Sequence, residues 1–186
     1  MDPSITAAVF VPDYELSTEK ARQALPRELP YKDAVYNVSR VGLLPAAMNP
    51  MVLAQAAQQG KSGVAAAPAQ DADTCACAGG TRESPFADEL AAAQAQSNAL
   101  LFTATQDKLH QPYRGTLMPP STELIALFRS KGYAAAVSGA GPCVLVLHYG
   151  NAREAIDQIA SEQLASGHWR VLHLPINTAG VEIERR

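Results

Sequence analysis

The chain has 186 residues, 47% of them hydrophobic and 18% charged, with a formal net charge of −3. This is the make-up of a globular domain able to bury about 70% of its extended surface, and it excludes a disordered chain. The slight acidity and the lack of a Lys/Arg run exclude nucleic acid as the main partner, because phosphate neutralisation needs a basic face.

Three cysteines make no disulfide framework at this length, which suits a reducing compartment. The start, MDPSITAAVFVPDY, lacks the basic and apolar regions of a signal peptide. The most apolar long stretch, Val41 to Ala57, is broken by Pro45, Asn49 and Pro50 and does not read as a membrane span. A cytoplasmic protein without a membrane partner is expected.

Ile5–Val11, β-branched and closed by Pro12, predicts a first strand. Ser17 or Thr18 then caps a helix, Glu19 lies in its positive first turn, and Pro26 stops it. Apolar residues at Tyr31, Ala34, Val35, Val38 and Val41 predict a second helix over 31–44. Pro45 kinks or ends it, and an apolar segment continues to about Ala57. From Gly60 to Pro85 small residues, glycine and proline dominate and large apolar side chains are nearly missing, so a disordered or mobile insert is expected. Two short matches inside it carry no function. Gly60-Lys61-Ser62 lacks the first glycine of a phosphate-binding loop, since Gln55 stands there, and Cys75-Ala76-Cys77 lacks a second ligand pair for zinc.

Ser84 and Pro85 open a long helix to roughly Lys108, with Phe86, Leu90, Ala93, Leu100 and Leu101 as its apolar face. Ser121 or Thr122 is expected to start the next helix and Gly132 to end it. Two β-prone runs, Ala134–Val137 and Val144–Leu147, then flank Ser138, Gly139, Ala140, Gly141 and Pro142. That loop is longer than strand reversal requires, and its glycines suit positive φ and close approach of backbone N–H groups to something bulky or anionic. Asn151 and Glu154 form a capping-box pattern for a further helix, and Trp169–Leu174 and Val181–Ile183 read as strands. The order strand, helices, strand, strand, helix, strand is the split βαβ pattern. The expected fold is therefore α+β: a ferredoxin-like antiparallel sheet with helices packed on one face and extra helices in the first crossover, spanning residues 1–186 as a single domain.

Three polar clusters could carry chemistry: Lys20 and Arg22; Asp33, Asn37, Ser39 and Arg40; and Asp107, His110, Gln111, Tyr113 and Arg114. Asp33 and Asn37, four apart, share a helix face. Pro112 and Gly115 are expected to take their segment out of helix, so that Arg114 projects from a fixed turn. Arginine is the side chain best suited to a bidentate grip on carboxylate or phosphate. Each residue also has a plain structural role available: Arg22 as a solvated helix residue, Asp33 as a partner of Lys32 or Arg40, and His110 as a turn residue. No Ser/His/Asp order and no metal-ligand spacing is present, so no catalytic residue and no metal ligand is assigned.

Four blocks, VFVPDYELSTEKARQALP, YKDAVYNVSRVGLL, DKLHQPYRGTLMP and AAAVSGAGPCVLVL, occur in the order found in homoserine kinases. Most of residues 5–49 and 89–183 thus resembles that family of the GHMP kinase superfamily. The resemblance implies a C-terminal domain of the GHMP type and ATP-dependent transfer of the γ-phosphoryl group to the hydroxyl of L-homoserine, a step towards threonine. It implies that Arg22 and Arg114 hold the homoserine carboxylate. Asn37 would lie in the amino-acid pocket with Asp33 beside it, and Ser138, Gly139, Ala140 and Gly141 would form the motif packed beside the nucleotide phosphates.

A complete member also carries an N-terminal lobe with a P-x-x-x-G-L-G-S-S-S-A phosphate loop and an acidic magnesium ligand, and neither is in this chain. The chain is accordingly expected to be the C-terminal lobe without its ATP-binding lobe. ATP and Mg belong to the complete enzyme, and this chain alone would bind neither tightly and be inactive. Its partners would be L-homoserine, the missing N-terminal lobe and a second copy in a homodimer. The competing expectation is a non-catalytic ferredoxin-like module that binds a small ligand or oligomerises through an open sheet edge.

Overall fold

The computed structural model describes residues 4–55, 85–177, 180 and 183–184, with the backbone alone at 85–87. The Gly60-Lys61-Ser62 and Cys75-Ala76-Cys77 matches lie outside those residues, as do Val181 and Glu182 of the expected last strand.

Strand β1 (Ile5–Pro12) is followed by α1 (Thr18–Gln23), α2 (Tyr31–Val41), α3 (Leu44–Ala47) and a helical run at 50–55, here α4. Then come α5 (Pro85–Ala104), α6 (Gln111–Arg114), a 3₁₀ turn at Gly115–Leu117 and α7 (Pro119–Ser130). The hairpin β2 (Ala134–Val137) and β3 (Val144–Tyr149), helices α8 (Arg153–Ile159) and α9 (Ser161–Ala165), and β4 (Trp169–Leu174) complete the described elements.

The four strands form one antiparallel sheet in the order β2-β3-β1-β4, with β3 splitting the β1–β2 pair as the ferredoxin-like pattern requires. Register follows the two-residue alternation of β1. Ala8 and Phe10 lie opposite Val146 and Val144 on one face, and Ile5 and Ala7 lie opposite Tyr149 and Leu147 on the other. On the first face Phe10, Val144 and Val146 meet Leu124 and Phe128 of α7 and Ile156 of α8. The rings of Phe10 and Phe128 are 5.1 Å apart and tilted by 47°, a favourable aromatic geometry. The inserted helices serve the second face, where Ala47 of α3 and Leu101 of α5 cover Ile5, Ala7, Leu147 and Tyr149. Asn98 of α5 ties down the end of β3, accepting from the Tyr149 N–H at 2.7 Å and donating to its carbonyl. Among the described residues no helix is long and apolar enough to cross a membrane.

Local signals explain most boundaries. Ser17 caps α1 by accepting from the Lys20 N–H, as expected of that serine. Elsewhere the capping expectations fail for identifiable reasons. Helix α7 begins at Pro119 and Pro120, whose missing N–H groups cost nothing in a first turn. Ser121 is thereby drawn into the core, where its hydroxyl donates to the Pro142 carbonyl and meets the Tyr14 hydroxyl at 2.7 Å. The Asn151/Glu154 capping box does not form either: Gly150 turns at φ +92° and the helix starts one residue later, with Ala152 at the N-cap position and no side-chain cap. Pro112 sits inside the first turn of α6 rather than breaking it, so Arg114 lies on a helical turn.

His148 packs its ring 4.6 Å from that of Tyr133. Burial lowers its pKa below the ordinary value, a shift only partly opposed by its hydrogen bond with the Tyr149 backbone. A histidine that resists protonation when folded contributes stability that is complete above the unfolded value of about 6.5 and lost as pH falls below it. Unfolding midpoints measured at about pH 7.5 and about pH 5.5 should therefore differ less in His148→Phe than in the parent chain.

Candidate functional site

Helix α5 ends at Ala104, and the chain turns through residues 105–110 before α6. Asp107 organises that turn. Its Oδ1 accepts from the Leu109 N–H at 2.9 Å and from Asn37 Nδ2, and its Oδ2 accepts from the N–H groups of His110, at 2.9 Å, and Gln111. Burial alone would raise the pKa of this carboxyl. The hydrogen bonds from Gln111, Asn37, Leu109 and His110 outweigh it and hold the group below the ordinary carboxylate value. Two of those donors are free N–H groups at the start of α6, so Asp107 caps that short helix from outside it.

The same turn receives α2. Asn37 Oδ1 accepts from the Lys108 N–H at 2.9 Å, Asp33 pairs with Lys108 Nζ at 3.8 Å, and the Tyr36 hydroxyl donates to Gln106. The Arg40 guanidinium and the Lys108 ammonium lie over the Tyr36 ring at 3.6 and 4.2 Å. Helix α2 is therefore joined to the body by its polar face.

Arg114 follows on α6, less than two turns from the Asp107 cap. Its Nε donates to the Ala21 carbonyl at 3.2 Å and its Nη1 to the Gly139 carbonyl at 3.5 Å. Nη2 and one proton of Nη1 meet no protein acceptor among the described residues. Arg114, Asn37, His110, Gln111, Asp107 and Gly139 border a cavity of about 360 Å³. A second cavity of about 450 Å³, floored by Met118, Ile125 and Ala126, lies behind the Asp107–Gln111 wall. Asp107 and Gln111 line both cavities, whereas Asn37, His110, Arg114 and Gly139 line the smaller one and not the larger.

The hairpin loop closes one side. The Ser138 N–H donates to the Cys143 carbonyl and the Gly141 N–H to the Ser138 carbonyl, so two of the loop's donors are already engaged. Gly141 (φ +89°) faces Met118, whose sulfur would lie 2.6 Å from an added Cβ, while Gly139 (φ +64°) has open space around it. The bulky group this loop approaches is thus Met118. Gly141→Ala should destabilise the chain by about 2 kcal/mol in urea unfolding, combining the left-handed penalty with displacement of a buried side chain, and Gly139→Ala by about 1 kcal/mol.

Of the sequence-predicted residues, the structure brings Asn37, Arg114 and Gly139 to one cavity. Asp33 does not line it and is paired with Lys108. Arg22 is exposed and does not line the cavity, but its neighbour Ala21 anchors Arg114 through its carbonyl. Ser138, Ala140 and Gly141 do not line it either. Sequence inspection placed Asp107 in a cluster without showing that it organises the turn. It missed Arg129, whose guanidinium ties Phe102 and Ala135 through their carbonyls and Thr105 through its hydroxyl. Nothing in the local pattern around Arg129 marks it.

The residues also bear on the cofactors that the fold family implies. Among the described residues no group of three or more His, Cys, Asp or Glu side chains could hold a metal ion. Of the hairpin loop's N–H groups, those of Ser138 and Gly141 are engaged within the loop.

The family model described as GHMP kinases C terminal matches residues 86–165. The homoserine kinase of Corynebacterium aurimucosum is 33% identical over 183 residues, covering 98% of this chain and 43% of the relative. That of Leifsonia xyli subsp. xyli is 33% identical over 183 residues, covering 97% and 42%. The crystal structure of homoserine kinase from Cytophaga hutchinsonii superposes with a TM-score of 0.57 at 17% identity, covering 92% of this chain and 41% of that one, which shows a shared fold. The chain spans about two-fifths of the length of the curated relatives it matches. With its split antiparallel sheet and its match to the GHMP kinases C-terminal model over residues 86–165, the chain is similar to the C-terminal portion of homoserine kinases.

Proposed function

We propose that this chain is the substrate-binding lobe of a cytoplasmic homoserine kinase. Completed by an N-terminal lobe carrying ATP and magnesium, it would transfer the γ-phosphoryl group to the hydroxyl of L-homoserine, towards threonine. The observation that carries the proposal is Arg114. Its guanidinium is fixed by the Ala21 and Gly139 carbonyls at the wall of a 360 Å³ cavity, with a donor pair left over. A pre-positioned guanidinium is what a small zwitterion's carboxylate needs if its other end is to be presented in a fixed direction.

Asn37 adds to the pocket through its second Nδ2 proton, since its first proton and its carbonyl are engaged by Asp107 and Lys108. Arg22, beside Ala21, is free to swing towards a bound carboxylate; Asp33 acts through Lys108. Gly139 lines the pocket, and the hairpin loop it shares with Ser138, Ala140 and Gly141 would face the second lobe.

Phosphoryl transfer depends on positioning and charge stabilisation, and this chain supplies the positioning half. Calorimetry tests the assignment: L-homoserine should bind at millimolar or lower concentration, and Arg114→Ala together with Arg22→Ala should abolish the heat. Binding that survives both changes would remove the guanidiniums from the carboxylate role. The chain alone should show no homoserine-dependent ATP consumption.

A further inference from the structure

Helix α2 is inverted relative to an ordinary surface helix. Asp33, Tyr36 and Asn37 face the body of the protein, where they bond Lys108, Gln106 and Asp107, and Arg40 stacks on the Tyr36 ring beside them. The opposite face carries Tyr31, Val35, Val38 and Val41, which are 84%, 48%, 69% and 57% exposed. None of the helix's eleven residues is buried. At spacings of four, three and three these side chains form one stripe, uninterrupted by a charged residue. A surface helix normally turns its apolar stripe to the core, and a contiguous exposed one marks a contact surface.

Two further facts say what covers it. The helix borders the candidate site, because Asn37 and Val41 both line the 360 Å³ cavity, so whatever covers the stripe also closes that side of the site. And the relatives that match this chain carry more than half of their length outside the matched region. We infer that the Tyr31–Val35–Val38–Val41 face of α2 is the docking surface for that remaining lobe, whose contacting surface is apolar and uncharged. This rests on the chain being the substrate-binding lobe proposed above. Docking there leaves the polar anchoring of α2 untouched and brings the second lobe to the rim beside Asn37.

The probe is the portion of the Corynebacterium aurimucosum homoserine kinase outside the matched region, co-expressed with this chain. The parent chain should co-purify with it as a one-to-one complex. The double change Val35→Asp with Val38→Asp should raise the dissociation constant roughly 100-fold, as expected when charge enters the centre of an apolar interface. Because both side chains are exposed, the variant's circular dichroism and unfolding midpoint should match the parent's. A control, Glu154→Ala on α8, should bind like the parent.

Failure to form any complex, or equal affinity of parent and double variant, overturns the inference. So does a homodimer of the chain alone that the double change dissolves, since a second copy would then be the occupant. Homoserine-dependent ATP consumption separates the two proposals. A Val38-dependent complex without turnover leaves the docking face standing and removes the kinase assignment. Turnover by a complex indifferent to Val35 and Val38 does the reverse.

Discussion

Asp107→Ala is expected to destabilise the chain by about 3 kcal/mol in urea unfolding at neutral pH, since it leaves several partly buried donors without an acceptor. The number follows from what the carboxylate holds. Four donors, from Asn37, Leu109, His110 and Gln111, converge on its two oxygens, which matches the lone-pair capacity of a carboxylate. Asp107 therefore has nothing left to offer a substrate, although it lines the cavity; it is a scaffold. Asp107→Asn should cost less than alanine, because its amide oxygen keeps one face of acceptors. It should still loosen α6, where two N–H groups meet one oxygen.

The pH dependence has a definite sign. Hydrogen bonding holds the folded carboxyl below its ordinary pKa, so the unfolded chain takes up the proton first on acidification. The contribution of Asp107 is complete above the unfolded value of about 3.9 and disappears as pH falls through the lower folded value. In Asp107→Asn that part of the acid loss should be missing. An unfolding curve of equal acid sensitivity in both proteins would show that other carboxylates dominate.

How far the sequence carried this picture differs by element. Strand β1, the hairpin and β4 were legible because apolar alternation and loop glycines are local signals, and the sheet order follows from the order of elements. Helix α2 was legible as a helix from Val35, Val38 and Val41, but the spacing left open the direction of that stripe. It points outward because the polar side of α2 finds a better partner in the 106–108 turn, about 70 residues away in sequence. Periodicity finds amphipathicity; it does not say which side meets the core. Ser121, Thr122 and Asn151 illustrate a second limit, as each had the chemistry of a cap and lost the position to prolines or a glycine turn nearby. Arg114 and Asn37, singled out from the blocks that carry the family resemblance, come to one cavity. The role of Asp107 depends on N–H directions that exist only once α6 has formed.

Arg114→Ala is expected to weaken L-homoserine binding by tenfold or more, because removing a charged hydrogen bond from a desolvated site costs roughly 1.5–3 kcal/mol. In a protein completed by its second lobe the same change should raise the KM for homoserine at least as much. Arg114→Lys discriminates between charge and geometry. Lysine keeps the positive charge, yet it cannot hold the Ala21 and Gly139 carbonyls and a carboxylate at once. If the guanidinium acts as a fixed fork, lysine should recover only a small part of the affinity. If charge alone attracts the substrate, lysine should recover most of it and binding should fall steeply with added salt. A KM unchanged in Arg114→Ala would reduce the residue to a strut between α1 and the hairpin loop. The unfolding midpoint would then drop without any change in homoserine affinity, which the fixed-fork role does not allow.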